Sequence, residues 1–265
     1  MLGKLMKYEF KATGRMILPL YGALIIFAII NRLTFPLLEV GGPISIPAVL
    51  AMFVYVFIII AIFVLTFILM IQRFYKNLFS DEGYLMFTIP VQSWKHILTK
   101  LLTSIVWIVV SLIITMISVL ILAINMEFIS IIPAYYKAIV EHVFNYAGVH
   151  AFILGAEGIL LMLVGLASSI LIIYCSISIG QLFQKHKLLA SFGAYLVIST
   201  VIQTVGSVIM LILGLSANIN EWIINLPPLT LGYTAVNVLL LSTVILSAAM
   251  YFIINYIISR KLNLE

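Results

Sequence analysis

The chain has 265 residues, of which 64% are hydrophobic and 9% carry a charge, and its mean hydropathy is +1.26. Soluble globular proteins are far more polar, so this composition excludes that class and indicates an integral membrane protein. The net charge of +5 comes from basic residues that are spread over several segments. Because they form no contiguous patch, the sequence argues against a nucleic-acid-binding protein.

The first fifteen residues predict an amphipathic helix that lies in the membrane interface. Four cations share one narrow face of the helical wheel: Lys4, Lys7, Lys11 and Arg15. Apolar side chains occupy the opposite face and would reach the acyl chains, while the cations would meet anionic headgroups or an acidic partner surface. Glu9 lies on the apolar face and indicates a contact other than lipid. Alternatively, the cations serve only to orient the chain in the membrane.

Six apolar stretches are each long enough to cross the hydrocarbon core as a helix, which takes roughly 20 residues. They cover residues 16–35, 47–71, 101–124, 155–179, 188–215 and 229–258. Every backbone polar group must be satisfied within lipid, so stretches of this length favour helices over barrel strands. We therefore predict an all-α transmembrane domain over residues 16–265. The first stretch has no small-residue cleavage site and reads as an uncleaved span rather than a signal peptide.

The distribution of charge predicts that both termini are cytoplasmic. With the N-terminus inside, all of the 14 lysines and arginines except Arg32 and Lys137 fall on the inner side. Several glutamates fall at or beyond the outer face. Residues 133–146, between the third and fourth spans, predict an amphipathic helix on the outer surface.

A polar stretch at residues 73–100 separates the second and third spans on the inner side. Ser80 is placed to cap a short helix that carries two acids in its first turn and ends before Pro90. The run from Tyr84 to Phe87 would place large apolar side chains next to water, which is typical of a contact surface. The cations that flank this helix are interpreted as membrane anchors: Arg73, Lys76, Lys95 and Lys100.

The sequence carries no signature of an enzyme. It lacks the G-x-x-x-x-G-K-[ST] motif of ATP-binding sites, the G-x-S-x-G elbow of hydrolases and the H-E-x-x-H helix of zinc proteases. We therefore predict that the chain is not an enzyme by itself and holds neither a cofactor nor a metal. His142 and His150 could meet at the outer face, but no third metal ligand follows at a suitable spacing.

The run YKNLFSDEGYLMFTIP at residues 75–90 precedes a lysine-bearing helix into the third span, and a basic helix precedes the first span. This arrangement resembles the permease subunits of type-2 ATP-binding cassette (ABC) exporters of Gram-positive bacteria. The resemblance covers the six-span layout, with recognisable sequence in the first hundred residues. It implies a separate ATPase subunit that binds ATP and Mg²⁺, a second permease subunit in a homodimer or heterodimer, and a place in the bacterial plasma membrane.

The resemblance also implies which residues contact the ATPase. The loop between the second and third spans would be a coupling helix at residues 80–88, with the following contacts: Asp81, Glu82, Gly83, Tyr84, Leu85 and Phe87. The inner loop QLFQKHK at residues 181–187 would be a second contact, through Lys185, His186 and Lys187. The N-terminal helix would touch the ATPase as well.

Two spans carry candidate residues for a cargo path. They are Phe57, Phe63 and Phe67 on the second span and Ser199, Gln203 and Ser207 on the fifth, assigned to one helix face within each set. Such a lining suits a hydrophobic or amphipathic cargo. The resemblance implies export of a peptide, a toxin or an antibiotic. Alternatively, the phenylalanines face lipid.

Three other functions stay open. An ion-coupled secondary transporter needs an ionisable group near the bilayer midplane, whereas Glu157, the acid within a predicted span, falls near the outer boundary. A substrate-capturing membrane subunit of an importer would also span six times, but we do not expect it to carry a coupling loop and an amphipathic N-terminal helix. A structural or sensory membrane protein predicts no ATPase partner.

Overall fold

The computed structural model describes residues 2–36, 46–79, 92–124, 131–138, 140–141, 148, 150–215 and 227–260. Within these ranges all regular structure is helical and there is no strand. The six long helices are α1 (Leu2–Thr34), α2 (Ile46–Phe79), α3 (Ser93–Ala123), α4 (His150–Gly180), α5 (Lys187–Leu215) and α6 (Pro228–Arg260). All six are long and apolar enough to cross a membrane. The chain therefore has the makeup of a multi-pass membrane protein.

Each predicted span coincides with one long helix, but several helices are longer than the apolar run that predicted them. The second span was expected to end at residue 71, whereas α2 continues to Phe79. The third was expected to begin at residue 101, whereas α3 begins at Ser93. A helix gains one backbone hydrogen bond for each residue it adds, so it continues where the apolar run stops.

The N-terminal helix and the first span form one helix. α1 runs unbroken past residue 15, where a boundary was expected between an interfacial helix and the first span. The buried residues of α1 form one stripe that continues across residue 15. Both parts of α1 therefore turn the same face toward the neighbouring helices, which explains why the helix is unbroken. The stripe consists of Glu9, Thr13, Gly14, Ile17, Tyr21, Leu24, Ala28 and Asn31.

Two compact units divide the chain. The first comprises Met1–Phe74 and Leu98–Ile139, and it holds α1 and most of α2 and α3. Its core forms where Ile17, Tyr21 and Leu24 of α1 meet Tyr55 and Ile62 of α2. Side chains of α3, Trp107 among them, pack against this core.

The helices of the first unit exceed the thickness of a bilayer core. α1 and α2 have 33 and 34 residues, which corresponds to about 50 Å, whereas the hydrocarbon core measures about 30 Å. The apolar run of α1 begins at Met16 and that of α2 ends at Ile71, so each helix has a polar extension. Glu9 lies 4.0 Å from Arg73, and the two extensions therefore lie on the same side of the membrane.

The second unit comprises Tyr75–Ile97 and Val140–Glu265, with α4 packed along α5 and α6. The buried side chains of α4 all lie between Ser168 and Gly180, in its C-terminal half. The lone cysteine, Cys175, is buried among them.

Part of the predicted outer helix at 133–146 is described. Residues 131–138 and 140–141 are helical, and all side chains of 131–138 are exposed. Residues 142–146 lie outside the described ranges, as does residue 139.

Candidate functional site

Polar side chains run through the interior of the first unit and connect α1, α2 and α3. On α3 they recur at intervals of seven and four residues, which places them along one side of that helix. We call this row the polar seam. It consists of Glu9, Thr13 and Tyr21 on α1, Tyr55, Thr66 and Arg73 on α2, and Lys100, Trp107, Ser111 and Ser118 on α3.

One end of the polar seam is an ion cluster of three helices. The Lys100 ammonium donates a hydrogen bond to the Glu9 carboxylate, and the Arg73 guanidinium lies 4.0 Å from the other carboxylate oxygen. Glu9 is 7% exposed and Lys100 is 3% exposed. Taking such charges out of water costs several kcal/mol for each ion unless they are paired, so this pairing is what allows Glu9 to lie inside the unit.

Next to the ion cluster, Trp107 links α3 to α1. Its indole N–H donates to the Thr13 hydroxyl at 2.7 Å, and that hydroxyl donates to the Glu9 carbonyl at 2.7 Å. The ring also packs against Gly14, where an added Cβ would meet it at 3.5 Å, an ordinary contact distance. The side chains at this level therefore hold α1 against α3 by both a hydrogen bond and van der Waals contact.

Hydroxyl pairs continue the polar seam toward its other end. Tyr21 pairs with Ser111 at 2.7 Å, and Tyr55 pairs with Ser118 at 2.9 Å. Beyond them the Arg32 guanidinium donates to the Leu122 carbonyl at 3.2 Å. Each hydrogen bond between membrane helices stabilises their packing by about 0.6 kcal/mol on average. The polar seam therefore fixes how α1, α2 and α3 align along one another through several small contributions to stability.

Removing the Tyr21 hydroxyl should destabilise the first unit by about 1 kcal/mol, because Ser111 would lose a partner in the buried interior. Tyr21→Phe tests this by thermal unfolding of the purified chain in mild detergent. Tyr8→Phe is the matched control, because Tyr8 lies on the same helix and is 68% exposed. Equal shifts for the two variants would show that the Tyr21 hydroxyl contributes no stability.

Of the two sets of predicted ATPase contacts, the structure describes only the second. Asp81, Glu82, Gly83, Tyr84, Leu85 and Phe87 all lie outside the described residues. Lys185, His186 and Lys187 are exposed at the turn between α4 and α5. His186 has a φ of 55° and its carbonyl accepts a hydrogen bond from the Ala190 N–H at 3.0 Å, so it forms the start of α5.

The turn is tight because Gly180 and Ser191 approach closely. A Cβ at Gly180 would lie 2.6 Å from the Ser191 nitrogen and 2.7 Å from its Cα. Only glycine allows this approach without a shift of the backbone. The end of α4 and the start of α5 are therefore held together directly behind the exposed basic residues.

The candidate cargo residues lie in separate units. Phe57, Phe63 and Phe67 are exposed on α2 in the first unit. Phe57 precedes Phe63 by six residues, which is about 120° around a helix, so the expectation that all three share one face was wrong. In the second unit, the α5 set consists of half-buried Ser199 and exposed Gln203 and Ser207.

No group of three or more His, Cys, Asp and Glu that could hold a metal occurs among the residues that the structure describes. His150, one of the two histidines considered in the sequence, lies 3.1 Å from the Tyr233 hydroxyl through Nδ1. That hydroxyl in turn donates to the His150 carbonyl at 3.1 Å. His142 lies outside the described ranges.

Lys100 was interpreted as a membrane anchor, and this was wrong: it is buried and pairs with Glu9. The sequence did contain a signal for the ion cluster, because Glu9 falls on the apolar face of α1 and needs a cation there. It did not identify which cation, since Lys100 follows 91 residues later.

The physical effect of the ion cluster is to tie α1 to α2 and α3, the two helices that lead into and out of residues 80–91. A displacement of either helix near the cluster is therefore transmitted to α1. No protein-family model, curated protein or solved structure matches this chain.

Proposed function

We propose that this chain is the membrane-spanning permease subunit of an ATP-driven exporter and is powered by a separate ATPase subunit. The observation that carries the proposal is the ion cluster of Glu9, Arg73 and Lys100. A permease moved by a partner needs a stiff connection between the docking loop and its spans. The cluster joins α1 to the two helices that precede and follow the segment resembling a coupling helix, in a chain without a Walker-type motif.

The ion cluster is stiff because its charges are costly to separate. Breaking a buried ion pair leaves an uncompensated charge in a medium of low dielectric constant, which costs about 3–5 kcal/mol. A force on α3 that is too small to separate Lys100 from Glu9 therefore moves the N-terminal end of α1 along with α3. Trp107 and Thr13 add a second link at the next level of the same two helices. The Arg73 guanidinium, which is partly exposed and 4.0 Å from Glu9, adds a weaker link to α2.

In the proposed mechanism, ATP binding closes a pair of ATPase subunits, and their motion pushes on the proposed coupling segment at residues 80–88. α2 and α3 continue without a break from Arg73 to Phe79 and from Ser93 to Lys100, so they carry the push to the ion cluster and α1. The basic turn at 185–187 receives a second push and passes it to α4 and α5. The spans then rotate, and the cargo leaves at the outer face.

We infer that the chain lies in the bacterial plasma membrane with both termini in the cytoplasm and pairs with a second permease subunit. The excess of basic residues on one side of the predicted spans supports this orientation. The proposed cargo is hydrophobic or amphipathic, such as a peptide, a toxin or an antibiotic. The exposed Phe63 and Phe67, which share one face of α2, support an apolar cargo surface.

Copurification tests the proposed function. The full chain, extracted in mild detergent from its native cells, is expected to bring a nucleotide-binding protein with it in a stoichiometric amount. The double charge reversal Asp81→Lys/Glu82→Lys should weaken that association by at least about tenfold, because charges at a docking surface must be opposite in sign to those of the partner. Glu141→Lys is the control, since Glu141 is an exposed acid outside the proposed docking loop.

Two results together would reject the exporter function: no nucleotide-binding partner in the purified sample, and unchanged function in Asp81→Lys/Glu82→Lys. If the partner is found, a screen for compounds that stimulate ATP hydrolysis by the complex identifies the cargo class.

A further inference from the structure

A groove of about 410 Å³ lies along the exposed side of α1. Its lining combines apolar residues with two cations. The lining residues are Phe10, Lys11, Gly14, Arg15, Leu18 and Pro19. Leu18 is 60% exposed, so the apolar surface of the groove is open from the side of the helix.

The position of the groove along α1 coincides with a membrane boundary. The apolar run from Met16 to the end of the helix at Thr34 covers about 28 Å, which matches the thickness of the hydrocarbon core. Lys11 and Arg15 therefore lie at the level of the headgroups, just outside the core. Leu18 and Pro19 lie at the level where acyl chains begin. One groove thus combines cations at headgroup depth with an apolar surface at acyl depth.

The two cations call for an anion that α1 itself does not provide. Lys11 and Arg15 are four residues apart on an exposed helix face, and like charges at this spacing repel each other. Glu9 is the one acid in the α1 sequence. It is buried and engaged with Lys100 and Arg73. Any negative charge that pairs with Lys11 and Arg15 therefore comes from outside this helix.

We propose that this groove binds one anionic phospholipid. Its phosphate lies between Lys11 and Arg15, and the upper part of an acyl chain lies along Leu18 and Pro19. The site differs from general attraction to a charged membrane, because Lys4 and Lys7 share the cationic face but do not line the groove. It does not depend on the exporter function.

The test measures lipid binding to the purified full chain by native mass spectrometry. The chain in mild detergent is titrated with phosphatidylglycerol, which is anionic, or with phosphatidylcholine, which is zwitterionic. The expected result is one retained phosphatidylglycerol and little retained phosphatidylcholine. Lys11→Gln/Arg15→Gln should weaken phosphatidylglycerol binding by about 30-fold, the factor for two basic residues near an anionic headgroup.

Lys4→Gln/Lys7→Gln is the matched control, because it removes the same charge from the same face outside the groove. It should bind phosphatidylglycerol almost as tightly as the unmodified chain. Equal weakening in the two double variants would overturn the site in favour of diffuse attraction. No preference for phosphatidylglycerol in the unmodified chain would also overturn it and would point to an acidic protein as the partner of these cations.

Leu18→Trp tests the acyl part of the site without a change of charge. The larger side chain should fill part of the groove and lower phosphatidylglycerol retention several-fold. Unchanged retention would overturn the placement of the acyl chain. The melting temperature of each variant without added lipid shows whether the fold is intact, since all the substituted side chains are exposed.

Discussion

Replacing Glu9 with alanine is expected to lower the free energy of unfolding of the first unit by about 3–5 kcal/mol. Lys100 is 3% exposed and would keep its charge while losing the carboxylate that it contacts. The variant Arg73→Ala should cost less, because the Arg73 guanidinium is 4.0 Å from Glu9 and its side chain is 29% exposed. Thermal unfolding of the purified chain in detergent measures both effects.

Lys7→Ala serves as the control for Glu9→Ala, because Lys7 lies on the exposed face of the same helix. The double variant Glu9→Leu/Lys100→Met should recover most of the lost stability, since apolar residues of similar volume often replace a buried ion pair without cost. The double-mutant cycle then gives the coupling between the two charges. Equal shifts for Glu9→Ala and Lys7→Ala would contradict a stabilising ion cluster.

Gly180→Ala is expected to destabilise the second unit by about 1–3 kcal/mol, the usual cost of overpacking. The new methyl group would lie 2.6 Å from the Ser191 nitrogen, so the start of α5 would have to move away from the end of α4. Proteolysis at the turn between these helices should become faster as well. Thermal unfolding and the rate of limited proteolysis at residues 181–187 test both effects.

Gly165→Ala is the control for this substitution. Gly165 lies in the middle of α4, and a Cβ there would meet no atom within 4 Å. Because alanine favours a helix over glycine by about 1 kcal/mol, Gly165→Ala should be neutral or stabilising. If both variants behaved alike, the close approach of Gly180 and Ser191 would not limit the packing of α4 and α5.

The existence of the six long helices could be predicted from the sequence, because apolar runs of this length seldom form anything other than membrane-spanning helices. Their ends could not. The polar extension of α1 before Met16 joins the first span because Glu9 and Thr13 find partners on α3. Such contacts depend on a helix that follows much later in the chain, and helical periodicity within α1 carries no information about it.

The candidate site could likewise be predicted from the sequence only in part. The position of Glu9 on an apolar face predicts a buried partner, and the exposed face of Lys4, Lys7 and Lys11 could be predicted from spacing alone. Lys100 could not be assigned, because a lysine at the start of a span equally suits a membrane anchor. Burial separates the two roles, and burial depends on the packing of α1, α2 and α3.

The sequence separation of 91 residues from Glu9 to Lys100 also sets an order of events during synthesis. Translation at about 5–20 residues per second takes about 5–18 s to reach Lys100 after Glu9. In that interval Glu9 lacks the Lys100 ammonium, and of the cations in the ion cluster only Arg73 on α2 is made. The extension of α1 before Met16 therefore lacks its contacts with α3 while α2 is inserted, and we expect it to dock fully when α3 arrives. A chain that stopped short of Lys100 would leave this extension without the buried ion pair.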